Sequence, residues 1–326
     1  MSGDILTVGE WSFAGSSNHL QERAVSNPKI QRVAISGATG LVGTELTGLL
    51  RNAGHSVLGI SRSKRTPDTI VWDPAKGVTN PQQLESVDAI VHLAGENIAG
   101  ARWTPAVKER IRISRVEGTK NLVSALASIS KRPTTLVCAS AIGYYGNRGD
   151  EVLRESSPAG TGYLAEVCQD WERAAMAAED LGIRVVCIRI GVVLSPKGGA
   201  LAKMLMPFKL GLGGIIGSGK QYWSWIGLND LVRAIAFSIE HDSIRGPINA
   251  VAPEPLTNLD FTKTVGRALH RPTVFPLPGF MASLVLGEMA NDLLLASTRV
   301  IPEKLQQSGF KFEQPDLKSC LEHELR

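Results

Sequence analysis

Three glycines at three-residue spacing, Gly37, Gly40 and Gly43, follow the apolar run Val33 to Ile35 and lead into a helix-like segment, Thr44 to Asn52. This pattern handles phosphate with backbone rather than side chains. The first glycine permits a tight turn, the second lets N–H groups approach a pyrophosphate, and the third lets helix and strand pack closely. The helix N-terminus then turns its partial positive charge toward the anion. Gly37, Thr39, Gly40, Leu41, Val42 and Gly43 are therefore assigned to a dinucleotide cradle. A second cue ends the next apolar run, His55 to Ile60, where Ser61 is followed by Arg62. An NAD-binding unit carries an Asp or Glu about 20 residues after the turn, on the ribose 2′-OH. A carboxylate would repel a 2′-phosphate, whereas a hydroxyl and a guanidinium bind one. The expected cofactor is NADP(H).

The elements that must hold these residues alternate along the chain. Val87 to Gly95 reads as a strand ending in His92-Leu-Ala-Gly95, where the small Ala94 and Gly95 beside Leu93 let the backbone approach a cofactor, so Leu93, Ala94 and Gly95 are assigned to its site. Helical spacing runs from Pro105 to about Ser128, and Thr135 to Ala139 is a strand followed by Ser140-Ala-Ile-Gly-Tyr-Tyr-Gly146. A helix over Tyr163 to Glu179 and a strand over Ile183 to Ile190 continue the series. Alternation of this kind predicts an α/β fold, a Rossmann-like doubly wound parallel sheet.

Residues 30–194 are read as the dinucleotide domain and 195–326 as a smaller, helix-rich C-terminal substrate lobe, with a strand near 248–252 returning to the main sheet. Residues 1–29 are read as a mobile extension without the apolar core of a secretory signal. In the lobe, Phe208, Tyr222, Trp223 and Trp225 suit either a packed core or a substrate wall. Asn229-Asp230 reads as the cap of a helix over Leu231 to Ile239.

Composition narrows the class. Of 326 residues, 43% are hydrophobic and 20% charged, which is ordinary for a globular protein. A net charge of +4 does not argue for nucleic acid. Cys138, Cys168, Cys187 and Cys320 form no CxxC and read as buried, reduced thiols of a cytoplasmic protein. The histidines are scattered singly, so no metal site is expected. No apolar run approaches the ~18 residues of a membrane span. The expected partner is an unidentified small-molecule substrate, with neither nucleic acid nor membrane.

Several motifs together resemble a known family. Ser36-Gly-Ala-Thr-Gly-Leu-Val-Gly43, His92-Leu-Ala-Gly95, Gly118-Thr119 and Ser140 to Gly146 resemble an extended short-chain dehydrogenase/reductase. Trp72-Asp73, Arg102-Trp103, Tyr163 to Cys168, Trp171-Glu172, Arg189 to Leu194 and Gly217-Ser-Gly219 narrow this to the atypical "epimerase family protein" subgroup. The likeness runs from about Val33 to the C-terminus. It implies an NADP-binding core, with Val193 on the cofactor face, and a C-terminal region of unknown function.

The resemblance also implies a Ser/Thr, a Tyr and a Lys as catalysts, the last two spaced YxxxK. Tyr163 stands at the expected place, but Val167 replaces the lysine. A phenol near pKa ~10 is ionised to about one part in a thousand at pH 7, a handicap of ~4 kcal/mol for a base. Ser140 fits the serine position approximately, because Ala141 competes for the register. Tyr144 and Tyr145 offer further phenols, so Ser140, Tyr144, Tyr145 and Tyr163 are the catalytic candidates. Arg115, where extended members usually carry Asn, is expected at the cofactor in partial replacement of the lysine. Gly227 stands where the subgroup often has His. The reading is an NADP(H)-dependent oxidoreductase or epimerase-like enzyme, or alternatively a cofactor-binding regulatory or scaffold protein with vestigial catalysis.

Arg62→Ala is expected to weaken NADPH by about 1.5–3 kcal/mol, the range of a charge-assisted hydrogen bond, and to leave NADH nearly unchanged. Equal native affinities for the two cofactors, measured by calorimetry, would contradict this.

Overall fold

Val33, Ala34, Ile35, Ile90, Val91, Leu136, Val137, Val185, Val186 and Ile188 are all fully buried. Strands apolar on both faces need helices on both sides, which is the demand a parallel sheet makes. The computed structural model describes residues 31–325 apart from Arg65 and Asp68, so the extension expected over 1–29 lies outside the described residues. In chain order the first half comprises β1 (Arg32–Ser36), α1 (Leu41–Asn52), β2 (Ser56–Ser61), β3 (Thr69–Asp73), β4 (Gly77–Val78), β5 (Ala89–His92), α2 (Pro105–Arg112), α3 (Gly118–Ala127) and β6 (Thr135–Ala141). It continues with β7 (Val152–Leu153), α4 (Tyr163–Met176), β8 (Arg184–Ile190), β9 (Val192–Ser195), α5 (Gly199–Lys209), β10 (Tyr222–Trp223), β11 (Trp225–Gly227) and α6 (Leu228–Glu240). The last part holds β12 (Gly246–Ala250), β13 (Leu256–Thr257), α7 (Asn258–Ala268), α8 (Gly279–Leu286) and β14 (Arg299–Val300), with short helices beyond.

Eight strands form one sheet in the order β12-β8-β6-β5-β1-β2-β3-β4, parallel except for β4 against β3. Leu46 and Leu50 of α1 pack with Leu231, Ile235 and Ile239 of α6 on one face. Leu122 and Leu126 of α3 pack with Trp171 and Ala175 of α4 on the other. The chain leaves β1 toward β2 and returns on the other side of β1 as β5, so the crevice between those strand ends is the topological switch point.

β3 and β4 have no counterpart in the sequence reading. β3 lies parallel beside β2, with Thr69 paired to Gly59 and Val71 to Ser61. The lobe aromatics Phe208, Trp223 and Trp225 are buried with Leu205, Phe261 and Val265, so a packed core accounts for them. The expected Asn229-Asp230 cap is corrected. Asp230 lies inside the first turn of α6, where its carboxylate accepts the Glu313 and Gln314 N–H groups at 3.0 and 2.8 Å and pairs with Arg233 at 2.7 Å.

One buried ion pair ties the carboxyl edge of the sheet together. Arg189, from the end of β8, meets Glu172 of α4 through two bonds of 2.8 Å, with the side chains 3% and 11% exposed. Glu172 also accepts the Ser140 hydroxyl at 2.7 Å. Arg189 donates to the Tyr145 hydroxyl at 2.9 Å, and Tyr145 donates to Asn249 of β12 at 2.7 Å. The guanidinium lies 3.4 Å from the centre of the Tyr144 ring.

Removing one member of a buried pair leaves the other charge uncompensated. Arg189→Met is expected to cost about 3–5 kcal/mol in urea unfolding, and the double variant Arg189→Met/Glu172→Met to cost clearly less. A double variant as unstable as the single one would show that packing, not the stranded carboxylate, sets the loss.

Candidate cofactor site

The glycine turn sits at the switch point. Gly37 has φ +72°, and a Cβ there would press on the Leu93 carbonyl and Ala94 nitrogen at about 3.1 Å. Gly40 N–H closes the turn on the Gly37 carbonyl at 2.9 Å, and Thr44 N–H makes the first helical bond, to Gly40, at 2.9 Å. Gly43 has no room for a Cβ, which would run into the Gly37 carbonyl. The helix starts at Leu41, three residues earlier than its pattern suggested, so Leu41, Val42 and Gly43 provide first-turn N–H groups without intrahelical acceptors. No side chain caps this end and no acidic residue occupies its first turn. Three N–H groups at an uncapped helix start fit a pyrophosphate.

Around this turn, Thr39 is exposed beside Gly40, and Ser61 is half-buried at the tip of β2 with Arg62 exposed next to it. Val193, in β9, is half-buried. Its carbonyl and the Leu41 side chain both approach Gly199, so the start of α5 lies beside the start of α1.

The strand end opposite, Leu93 to Gly95, is held by a buried Ser–His pair. Ser36 Oγ accepts the Leu93 and Ala94 N–H groups, each at 3.1 Å, so its own proton goes to His92 Nδ1 at 2.7 Å. His92 therefore carries its proton on Nε2, which has no hydrogen-bond partner, and its ring meets Trp72 edge-on at 5.4 Å. Burial drives its pKa down to about 4. The Leu93 and Ala94 N–H groups are thus spent on Ser36, and Gly95 is what opens the wall. A Cβ at Gly95 would meet the Arg115 guanidinium at 3.2 Å.

Arg115 is carried by a π-helical turn, Ile113–Glu117, between α2 and α3, a local irregularity frequent at functional sites. It donates to the Glu96 carbonyl at 3.0 Å and lies 5.2 Å from the Trp171 ring. No carboxylate pairs with it among the described residues, and burial pulls its pKa below the usual arginine value. It is a half-buried cation beside Gly95 at the end of β5, without an ion-pair partner among the described residues.

The four catalytic candidates differ in how far their hydroxyls are engaged. Ser140 is buried with its hydroxyl on Glu172, since the pleat of β6 turns Ser140 inward and leaves Ala141 half-buried at the strand end. Tyr145 is fully buried with its hydroxyl shared among Arg189, Asn249 and the Arg154 carbonyl, and burial pushes its pKa up to about 12. Tyr163 opens α4 as expected, but its hydroxyl donates to the Lys108 carbonyl at 2.6 Å and its ring packs on Trp103. Burial takes it, too, to about 12, against the opposing charge of Arg115. Tyr144 is half-buried, with no protein partner for its hydroxyl among the described residues. At Gly227, the space a side chain would take is filled by the Gln314 amide from the C-terminal region.

Glu172 and Arg189, which fix the Ser140 and Tyr145 hydroxyls, entered the sequence reading only as motif letters. A charged residue inside the apolar run Ile183 to Ile190 was the available signal, because such a residue must find a partner.

A family model described as the NAD dependent epimerase/dehydratase family matches residues 33–250. The chain belongs to that family. Within it, a "Domain of unknown function (DUF1731)" covers residues 277–324. This family member is 45% identical over 290 residues to the epimerase family protein MT2273 of Mycobacterium tuberculosis (strain CDC 1551 / Oshkosh), covering 89% of this chain and 96% of that protein. It also resembles the crystal structure of human epimerase family protein SDR39U1 (isoform2) with NADPH, with a TM-score of 0.83, 36% identity, and 90% and 98% of the two chains covered. A nucleoside-diphosphate sugar epimerase from Corynebacterium glutamicum gives a TM-score of 0.76 at 39% identity, covering 92% of this chain and 59% of that one.

His92 makes the site pH-sensitive in a defined direction. Its folded pKa lies below the ordinary 6.5, so its contribution is complete above pH 6.5 and is lost as pH falls toward 4, where the unfolded chain takes a proton the native state refuses. The full loss is about 3 kcal/mol. Urea unfolding at pH 7 and pH 5 is expected to show a steeper loss in the native protein than in His92→Gln. Equal losses would remove His92 as the cause.

Proposed function

We propose that this protein binds NADP(H) across the carboxyl ends of β1, β2 and β5 and acts as an oxidoreductase or epimerase-like enzyme on a small molecule. The observation that carries the reading is the Gly37–Gly43 turn feeding the uncapped start of α1. The human relative solved with NADPH supports the phosphate-bearing cofactor. Ser61 and Arg62 at the tip of β2 would hold the 2′-phosphate, and Arg115 beside Gly95 would face the ribose and nicotinamide. Val193 and Leu41 would line the adjoining wall. The bound cofactor supplies or accepts hydride.

Proton transfer is assigned to Tyr144 rather than Tyr163. Tyr163 has its hydroxyl on a main-chain carbonyl and no lysine four residues on, whereas the Tyr144 hydroxyl has no hydrogen-bond partner among the described residues. Ionisation of Tyr163 is opposed by burial, so the handicap expected for a lone phenol grows rather than shrinks. Ordinary nucleotide-sugar epimerisation, which needs a base poised near working pH, is expected to be absent or very slow. The engagement of both Ser140 and Tyr163 equally favours the second reading, a cofactor-binding regulatory protein with vestigial catalysis.

Initial rates with NADPH against one carbonyl panel separate these readings. Tyr144→Phe is expected to lose roughly a hundredfold or more, and Tyr163→Phe only a few-fold. The reverse order would return the chemistry to Tyr163. Firm NADPH binding without turnover of any carbonyl would favour the regulatory reading, and absence of NADPH binding would end both.

A further inference from the structure

The C-terminal region leaves two neighbouring stretches of apolar side chains in the open. On α8, Phe280 and Leu284 are each 74% exposed and Val285 is 68% exposed, while Ala282 and Leu286, one turn apart, pack inward. Met281 shares the outer face. Val274 and Phe275 precede α8, and Met206, Leu210 and Leu212 extend the face from the end of α5, all more than half exposed. The two stretches are joined. Leu277 N–H bonds to Ile215 at 2.8 Å, Gly217 N–H bonds to Leu277 at 2.9 Å, and Arg271 donates to the Lys209 carbonyl at 2.8 Å. An apolar surface built from nine large side chains exceeds what a soluble monomer ordinarily leaves exposed, and it marks a docking surface.

Charge selects the occupant. Residues 199–220 contain Lys203, Lys209 and Lys220 and no acidic residue. Residues 261–287 contain Lys263, Arg267, His270 and Arg271 and again no acidic residue. All seven of these side chains are exposed. Of the bordering acids, Asp260 accepts the Thr257 hydroxyl at 2.6 Å, Glu288 pairs with Lys108 at 2.6 Å, and Asp292 is half-buried with its pKa raised by burial. Exposed apolar side chains on stretches whose charges are all basic match an anionic bilayer surface, where the apolar groups enter the headgroup boundary and each cation adds about 1 kcal/mol. A second copy fits poorly, because a two-fold contact sets the same basic field against itself.

We infer that the face formed by α8 and the end of α5 docks on anionic lipid membranes. The expectation of no membrane partner rested on the lack of a span. No helix among the described residues is long and apolar enough to cross a membrane, but lying on a surface requires none.

Flotation of the full chain with lipid vesicles provides the test. The protein is expected to float with phosphatidylcholine–phosphatidylglycerol vesicles, to stay behind with phosphatidylcholine alone, and to release as salt rises. K209E/R271E is expected to bind roughly tenfold or more weakly, and F280S/L284S to lose binding while keeping native NADPH affinity and melting temperature. A fluorophore on M281C should shift to the blue on anionic vesicles only, which reports insertion with Phe280 and Leu284 in place. Absence of flotation, equal flotation of F280S/L284S, or equal binding to neutral vesicles would overturn the inference. So would a dimer in analytical ultracentrifugation that F280S/L284S abolishes, which would give the face to a second copy.

Discussion

The Arg189–Glu172 pair is the constraint that the carboxyl edge of the sheet must obey. Two charges withdrawn from water are tolerated only when their hydrogen-bonding capacity is met, and here Ser140, Tyr145 and the Tyr144 ring meet it. This fixes the end of β6, the short helical turn Ile142–Tyr145 and the end of β12 relative to α4. Chemistry at this edge must use what the pair leaves over. The engagement of the Ser140 hydroxyl by Glu172 and of the Tyr145 hydroxyl by Arg189 and Asn249 thus has one cause.

The cofactor end is built on the opposite economy, with backbone in place of charge. Helix dipole, N–H groups and two glycine clearances make the cradle, while Ser36 and His92 act on the next strand without reaching the cradle themselves. The only cation inserted deep into this wall, among the described residues, is Arg115. It is admitted by Gly95, whose missing side chain is the space the guanidinium uses.

The sequence made the alternating core and the glycine turn readable because both follow from local spacing. Its failures also have physical reasons. β3 and β4 are short and join without a covering helix, so they lack the period that marks their neighbours. Ser140 and Ala141 could not be separated, because alternation says that adjacent residues face opposite ways but not which way is inward. Asp230 resembled a cap because its type favours caps. Its partners, Glu313 and Gln314, lie more than eighty residues away and leave no local trace.

The π-helical turn beneath Arg115 places the cation by phase. It inserts one surplus residue into an otherwise continuous helix, and one residue amounts to about 100° of rotation about the axis. A relative lacking that residue would keep the helix and its packing on α4 but would aim position 115 away from Gly95. A single-codon deletion here would therefore act as a rotation of the site rather than a loss of structure. The reach of the guanidinium into the wall is thus encoded in chain length as much as in residue type.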